Sequence, residues 1–287
     1  MDSSEVSRLA SRLRTVNCMH VVNITILVFD YSLTLGAEVS HMWSSKFSLS
    51  KVLFLLTRYS PAFDVPVLVY YSMVSNPSFE HCAQLHAASS WGTVFGMAVA
   101  EAILILRTYA LSGRQKSVLI FFTAIWASGV LASIILLEFF LRSATYGPPT
   151  SPLIPGCNLT GGNAIFAGIP FVIVLLNDTL IMMYTLWIGL KNYRHSRNPL
   201  IVALYRDGIT YYFFLCIISA INVATLLQAP MPTAQLFNTF LRVVHSVFST
   251  RILLHVRDIE HKQSERTLST TVPRVVLSFA GASVETL

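Results

Sequence analysis

Long apolar stretches recur along this chain, each about long enough to cross a bilayer, and most Lys and Arg residues fall between them or at their ends. A helix rises about 1.5 Å per residue and must cover a hydrocarbon core of about 30 Å, so roughly 20 consecutive apolar residues suffice. On that measure spans are expected at residues 16–36, 50–74, 86–110, 117–141, 164–190, 204–228 and 234–256. Such a chain has little choice of fold. Lipid offers no hydrogen bonds, so each span must satisfy its own backbone, and helices do this within one segment. The expectation is an all-α integral membrane bundle of seven helices.

Composition agrees. Of 287 residues 12% are charged and 54% hydrophobic, with mean hydropathy +0.61, whereas a soluble domain carries about a quarter charged. The net charge of +6 does not point to nucleic acid, because the basic residues cluster at the ends of apolar segments and do not form one exposed face. Breakers mark the ends: Asn76-Pro77, Ser112-Gly113, Gly147-Pro148-Pro149, Asn198-Pro199, and Pro230 with Pro232. The second span carries Arg58, Pro61, Asp64 and Pro66, so a kink is expected there, its freed carbonyls satisfied by neighbouring helices. The domain reading is a tail over 1–15, a bundle over 16–256 and a mobile tail over 257–287, with a short amphipathic surface helix through Ile252 to Ile259. The first apolar run lacks a small-residue cleavage site and reads as an uncleaved insertion signal.

Basic residues resist translocation, which orients the spans. Lys46 and Lys51, Arg114 and Lys116, and Lys191, Arg194 and Arg197 occupy alternate loops, and Arg257, Lys262, Arg266 and Arg274 follow the last span. The other loops hold only Arg142, so the N-terminus is expected outside and the C-terminus in the cytoplasm. Arg8, Arg12 and Arg14 oppose that orientation, but with Asp2 and Glu5 their tail nets only +1. Cys82 and Cys157 then fall on outer loops and are expected to form a disulfide, while Cys18 and Cys216 fall in or near helices. Asn158-Leu159-Thr160 is a glycosylation acceptor on the outer side; Asn23-Ile24-Thr25 and Asn177-Asp178-Thr179 match the pattern inside spans. The Pro- and Gly-rich stretch from Arg142 to Gly161 reads as an outer loop folded as a lid.

An ionisable side chain at the bilayer centre costs about 2.5–3.5 kcal/mol on the lenient insertion scale, so each should face the bundle interior with a partner. The candidates for an intramembrane polar network are Asp30, Arg58, Asp64, Glu101, Arg107, Asp178 and Arg242, with Arg206, Asp207 and Arg251 as an inner-face lock. Depth counting pairs Arg58 with Asp30 or Glu101, and Arg242 with Asp64. Such a set can be a two-state switch, a static web that fixes helix order, or an ion or proton path. Metal-protease, P-loop, nucleophile-elbow and dinucleotide motifs are absent from the sequence, and the eight histidines are scattered, so neither cofactor nor enzymatic activity is expected. No lysine stands mid-span, which excludes a retinal Schiff base, and Asn-Pro-x-x-Tyr is missing from the seventh span.

FDYSLTLGAEVSHMW (29–43) followed by SLSKVLFLLTRYSP (48–61) resembles the N-terminal domain of a group of uncharacterised fungal multi-pass membrane proteins, mainly from basidiomycetes. EAILILRTYALSGR (101–114), YRDGITYYF (205–213) and STRILLHVRD (249–258) extend the resemblance over most of the helical region. Gly36-Ala37-Glu38 departs from it where a more polar turn is expected. The resemblance implies about seven spans and brings no activity or ligand. The leading expectation is a receptor-like sensor in the plasma membrane rather than an internal membrane. Its partners would be the bilayer, an unidentified small ligand and an unidentified cytoplasmic partner. A transporter or ion or proton channel is the first alternative, and a structural membrane scaffold the second.

Overall fold

A computed structural model of the chain describes residues 3–75, 77–147, 156–193, 199–228 and 236–258. Helix α1, Ser3–Glu38, continues through a π-helical turn, Val39–Trp43. It is followed by α2 (Leu49–Tyr59), α3 (Pro61–Met73), α4 (Phe79–Leu111) and α5 (Lys116–Ser143). Strands β1 (Thr145–Gly147) and β2 (Asn158–Gly161) pair antiparallel before α6 (Ala164–Ile188) and its π-turn Gly189–Tyr193. Helix α7 is Pro199–Gln228, and a further helix, α8, covers 238–258.

Among the described residues, six helical units are long and apolar enough to cross a membrane: Ala10–Trp43, Leu49–Met73, Phe79–Leu111, Lys116–Ser143, Ala164–Lys191 and Thr210–Gln228. Large apolar side chains such as Phe63 and Ile120 point out of the bundle, 76% and 68% exposed, a surface suited to lipid and not to water. The chain is therefore a multi-pass helical membrane protein. Helix α8 is not one of the six, because Arg242, His245 and Arg251 interrupt its apolar run. Burial explains that composition. Val244 and Ile252 pack into the core shared by α4, α5, α6 and α7, Val243 and Val247 pack with Leu27 and Val65, and Leu254 packs with Met42 and Phe54. Helix α8 packs into all three of these clusters, so Arg242, His245, Ser246, Ser249 and Thr250 meet protein and not lipid.

The break between α2 and α3 follows from Pro61. Its ring nitrogen has no hydrogen, which leaves the Thr57 carbonyl without its helical donor. Ser246 Oγ of α8 donates to that carbonyl at 2.6 Å, so a neighbouring helix restores the lost bond. Three boundaries differ from expectation. Helix α1 starts at Ser3 and includes the arginines expected in a tail. It also passes through Gly36-Ala37-Glu38 without turning, because Glu38 is buried against partners instead of being solvated. Ile252 and Leu254 are buried on a continuous α8, which replaces the expected surface helix.

Candidate functional site

Polar contacts tie α8 to five other helices, α1, α2, α3, α4 and α6. At the end of the bundle near the π-turn of α1, Arg251 Nε donates to Asp30 at 2.6 Å, and the same carboxylate lies 3.5 Å from Arg58. Arg58 also pairs closely with Glu38, which accepts from Tyr59 Oη at 2.7 Å and from Trp43 Nε1 at 3.1 Å. The guanidinium of Arg58 lies over the Tyr31 ring, 4.7 Å from its centroid. Arg58 thus joins Asp30 and Glu38; Glu101, the alternative partner, lies elsewhere in the bundle. His41 reaches Asp258 at 3.2 Å and adds a further tie from α1 to the end of α8.

Nearer the disulfide, Arg242 Nε meets Asp64 at 3.0 Å and its Nη2 donates to Ser60 at 2.6 Å. This pair needs space that α4 supplies. A Cβ on Gly96 would fall within the Arg242 guanidinium, and one on Gly92 would sit 2.6 Å from Asp64 Cβ. Gly92 and Gly96 form a Gly-x-x-x-Gly face, the pattern that lets membrane helices approach closely. Here the close approach admits an ion pair. Between the two ends, Asp178 of α6 accepts from Ser219 at 3.2 Å and lies 3.2 Å from His245 Nε2. Ser249 of α8 donates to the Ala100 carbonyl at 3.4 Å, and Arg107 of α4 lies over the Tyr212 ring at 5.5 Å.

A cavity of about 610 Å³ occupies the half of the bundle that holds the disulfide. The Cys82–Cys157 bridge, with Cα atoms 5.6 Å apart, ties β2 and its approach to the start of α4. The same segment is bonded to α3, since Gly156 N–H donates to Val74 O at 2.8 Å and Cys157 N–H to Tyr71 O at 3.0 Å. Gly156 has φ of +105° and its position would bring a Cβ to 2.6 Å of the Ser72 carbonyl, so only glycine fits this close crossing. His86 Nδ1 and Tyr146 Oη, 2.8 Å apart, fix β1 over the cavity, and burial pushes the Tyr146 phenol up to about 12. Trp126, Phe140 and Phe171 line its walls; Asp64, Glu101, Asn177 and Arg242 lie among its deeper lining residues. On the far side of Glu101 the core closes over Leu104, Ile181, Tyr212 and Leu215, each fully buried.

The structure therefore gathers the predicted residues into separate places. Asp30, Arg58 and Arg251 meet at one end; Asp64, Glu101 and Arg242 line the cavity; Asp178 lies deeper, beside His245. Arg206 and Asp207 are on α7, but their side chains lie outside the described residues, and Arg251 is engaged by Asp30. Asn158 opens β2 next to Cys157. Sequence reasoning missed Glu38, His245 and the two glycines. Only the glycines carried a readable signal, their spacing within an apolar helix.

Fold and site define a class: a polytopic helical membrane protein whose most polar helix is enclosed, with a roofed cavity at one end and an ionic clasp at the other. Within it, residues 18–63 match a family of unknown function (DUF6533). No curated protein matches the chain. The matched segment contains Asp30, Tyr31, Glu38, Arg58 and Tyr59, which together form the α1–α2 side of the clasp.

Proposed function

We propose that the chain is a receptor-like sensor in which occupancy of the cavity is relayed through α8 to the ionic clasp at the opposite end. The observation that carries this reading is the double engagement of Arg242, which lines the cavity and also ties α8 to α3 through Asp64 and Ser60. A ligand that draws on Arg242 or Asp64 changes how α8 is held, and Arg251 is on the same rigid rod. The volume falls in the range of small-molecule sites, about 300–1,000 Å³. In this reading α8 is the seventh span, the disulfide end and Asn158 face outside with the N-terminus, and the clasp faces a cytoplasmic partner. Alternating basic loops support that orientation. The plasma membrane is the proposed location.

The test needs no ligand. Spin labels at Ser44 and Gln115, both exposed at the clasp end, report the separation of α1 from the α4–α5 turn. Asp64→Asn frees Arg242 as a ligand would, and the sensor reading expects the distance distribution to shift. An unchanged distribution in a folded variant refutes the relay. The closed core beyond Glu101 favours a sensor over an open channel. Proton flux in reconstituted vesicles that disappears in Asp178→Asn would establish a transporter instead.

A further inference from the structure

The geometry points to an amphiphilic amine as the ligand of this cavity, its apolar body between the aromatic walls and its ammonium group on Glu101; the inference rests on the sensor reading for the site's purpose, not for its chemistry. Three observations carry it. First, the charged residues among the described cavity lining are Asp64, Glu101 and Arg242, two acidic residues and one basic, so one acid lacks a basic counterpart within the lining. Second, Arg242 is already held by Asp64 and Ser60, whereas Glu101 Oε1 is buried with no hydrogen-bond partner among the described residues. Glu101 as a whole is only 5% exposed. Third, the neighbouring orphan atoms are mainly acceptors: Asn177 Oδ1 and Asn238 Oδ1 also line the cavity and also lack partners.

A primary ammonium has three donors and no acceptor, which fits such a floor. Among the described residues, Arg242 Nη1 is the one cationic donor left unpartnered at the cavity, and an anionic headgroup could reach it. That anion would have to share Arg242 with Asp64 and Ser60, its present partners, so the pairing favours the amine. The wall residues Trp126, Phe140 and Phe171 give the body an apolar and aromatic surface, on which an ammonium carrier can also gain cation–π attraction.

The experiment uses the full chain in lipid nanodiscs with octylamine and phenylbutylamine, each compared with the alcohol and the carboxylate of the same skeleton. Binding is read by isothermal titration. The expected ranking is amine over alcohol over carboxylate, with amine affinity falling roughly ten-fold or more in Glu101→Gln while the alcohol changes little. Carboxylate binding tighter than amine would assign the head to Arg242 and overturn the inference. Equal binding of amine and alcohol, or no saturable amine binding, would overturn it as well. The wild-type ranking alone decides the matter if Glu101→Gln fails to fold. The Ser44–Gln115 distance separates the two claims. Amine binding that depends on Glu101 but leaves the distance fixed sinks the sensor and keeps the ligand class. A distance that responds to Asp64→Asn without any amine binding sinks the ligand class and keeps the sensor.

Discussion

Replacing Gly96 by alanine tests whether the ion pair beside the cavity holds the bundle together. In an exposed, unobstructed helix Gly→Ala stabilises by about 1 kcal/mol. At Gly96 the new methyl would occupy the position of the Arg242 guanidinium. That side chain is long enough to swing away, but only by leaving Asp64 at 3.0 Å and Ser60 at 2.6 Å. Each hydrogen bond to a charged group is worth about 1.5–3 kcal/mol, and an ion pair broken inside a protein costs about 3–5 kcal/mol because one charge is left uncompensated. Set against the propensity gain, the net effect expected is a destabilisation of about 2–4 kcal/mol. Gly36→Ala is the control, since nothing lies within 4 Å of its Cβ position, and it should stabilise by up to about 1 kcal/mol. Graded detergent denaturation of the two variants, followed by helicity, gives both signs in one assay. In a background of Asp64→Leu with Arg242→Ala the obstacle is gone, and Gly96→Ala should become neutral or favourable. If Gly96→Ala and Gly36→Ala shift stability in the same direction, the guanidinium is not pinned and the argument fails.

Other perturbations follow from the same geometry. Glu38→Gln leaves Arg58 and Arg251 to share Asp30 and should cost about 3 kcal/mol, whereas Tyr59→Phe removes one hydrogen bond and should cost about 1 kcal/mol; equal losses in denaturation would contradict the assignment. Replacing both Cys82 and Cys157 by serine opens a cross-link between residues 75 apart and should lower stability by about 2–4 kcal/mol, with no change if the wild type is first reduced. The phenol of Tyr146 is held neutral by burial up to about pH 12, above its ordinary value near 10. Its contribution to stability is therefore level below pH 10 and is lost as pH rises from 10 to 12. A phenolate absorbance difference between wild type and Tyr146→Phe that develops near pH 10 would show that the hairpin does not cover the ring.

Helices α4, α5 and α6 could be read from the chain because their apolar runs are long enough that Glu101 and Arg107 in α4 and Asp178 in α6 do not outweigh them. Depth counting was enough to pair Arg242 with Asp64, since both stand at similar distances from helix ends. Pro61 forecast both the break and the need for a donor from another helix, though not that Ser246 would provide it. Glu38 was illegible for a specific reason. It lies beyond the point where the first span should end, and a π-turn carries the helix onward so that an apparent loop residue becomes a buried counter-ion. His245 is a single histidine among apolar and small residues, a pattern far more common for a packed ring than for a partner of Asp178. The apolar run over 234–256 located α8, but its enclosure could not be read from hydropathy. An average over its residues cannot distinguish a helix hidden from lipid from one too polar to enter it.

That enclosed helix decides which contact yields first. Arg242 and Arg251 are nine positions apart on α8, about 14 Å along the axis, and each is anchored to a different helix. Their environments differ sharply. Arg242 is 1% exposed in its side chain and has no water to fall back on, whereas the side chain of Arg251 is 37% exposed. Releasing Arg251 from Asp30 therefore hands it to solvent, and Arg58 remains with Asp30 and Glu38 on hand, so no buried cation is stranded. Releasing Arg242 without a substitute leaves a buried charge unpaired. A relay built this way moves when the Asp64–Arg242 tie is weakened, by a ligand in the cavity or by substitution, and it then opens at Arg251, the end where opening costs least.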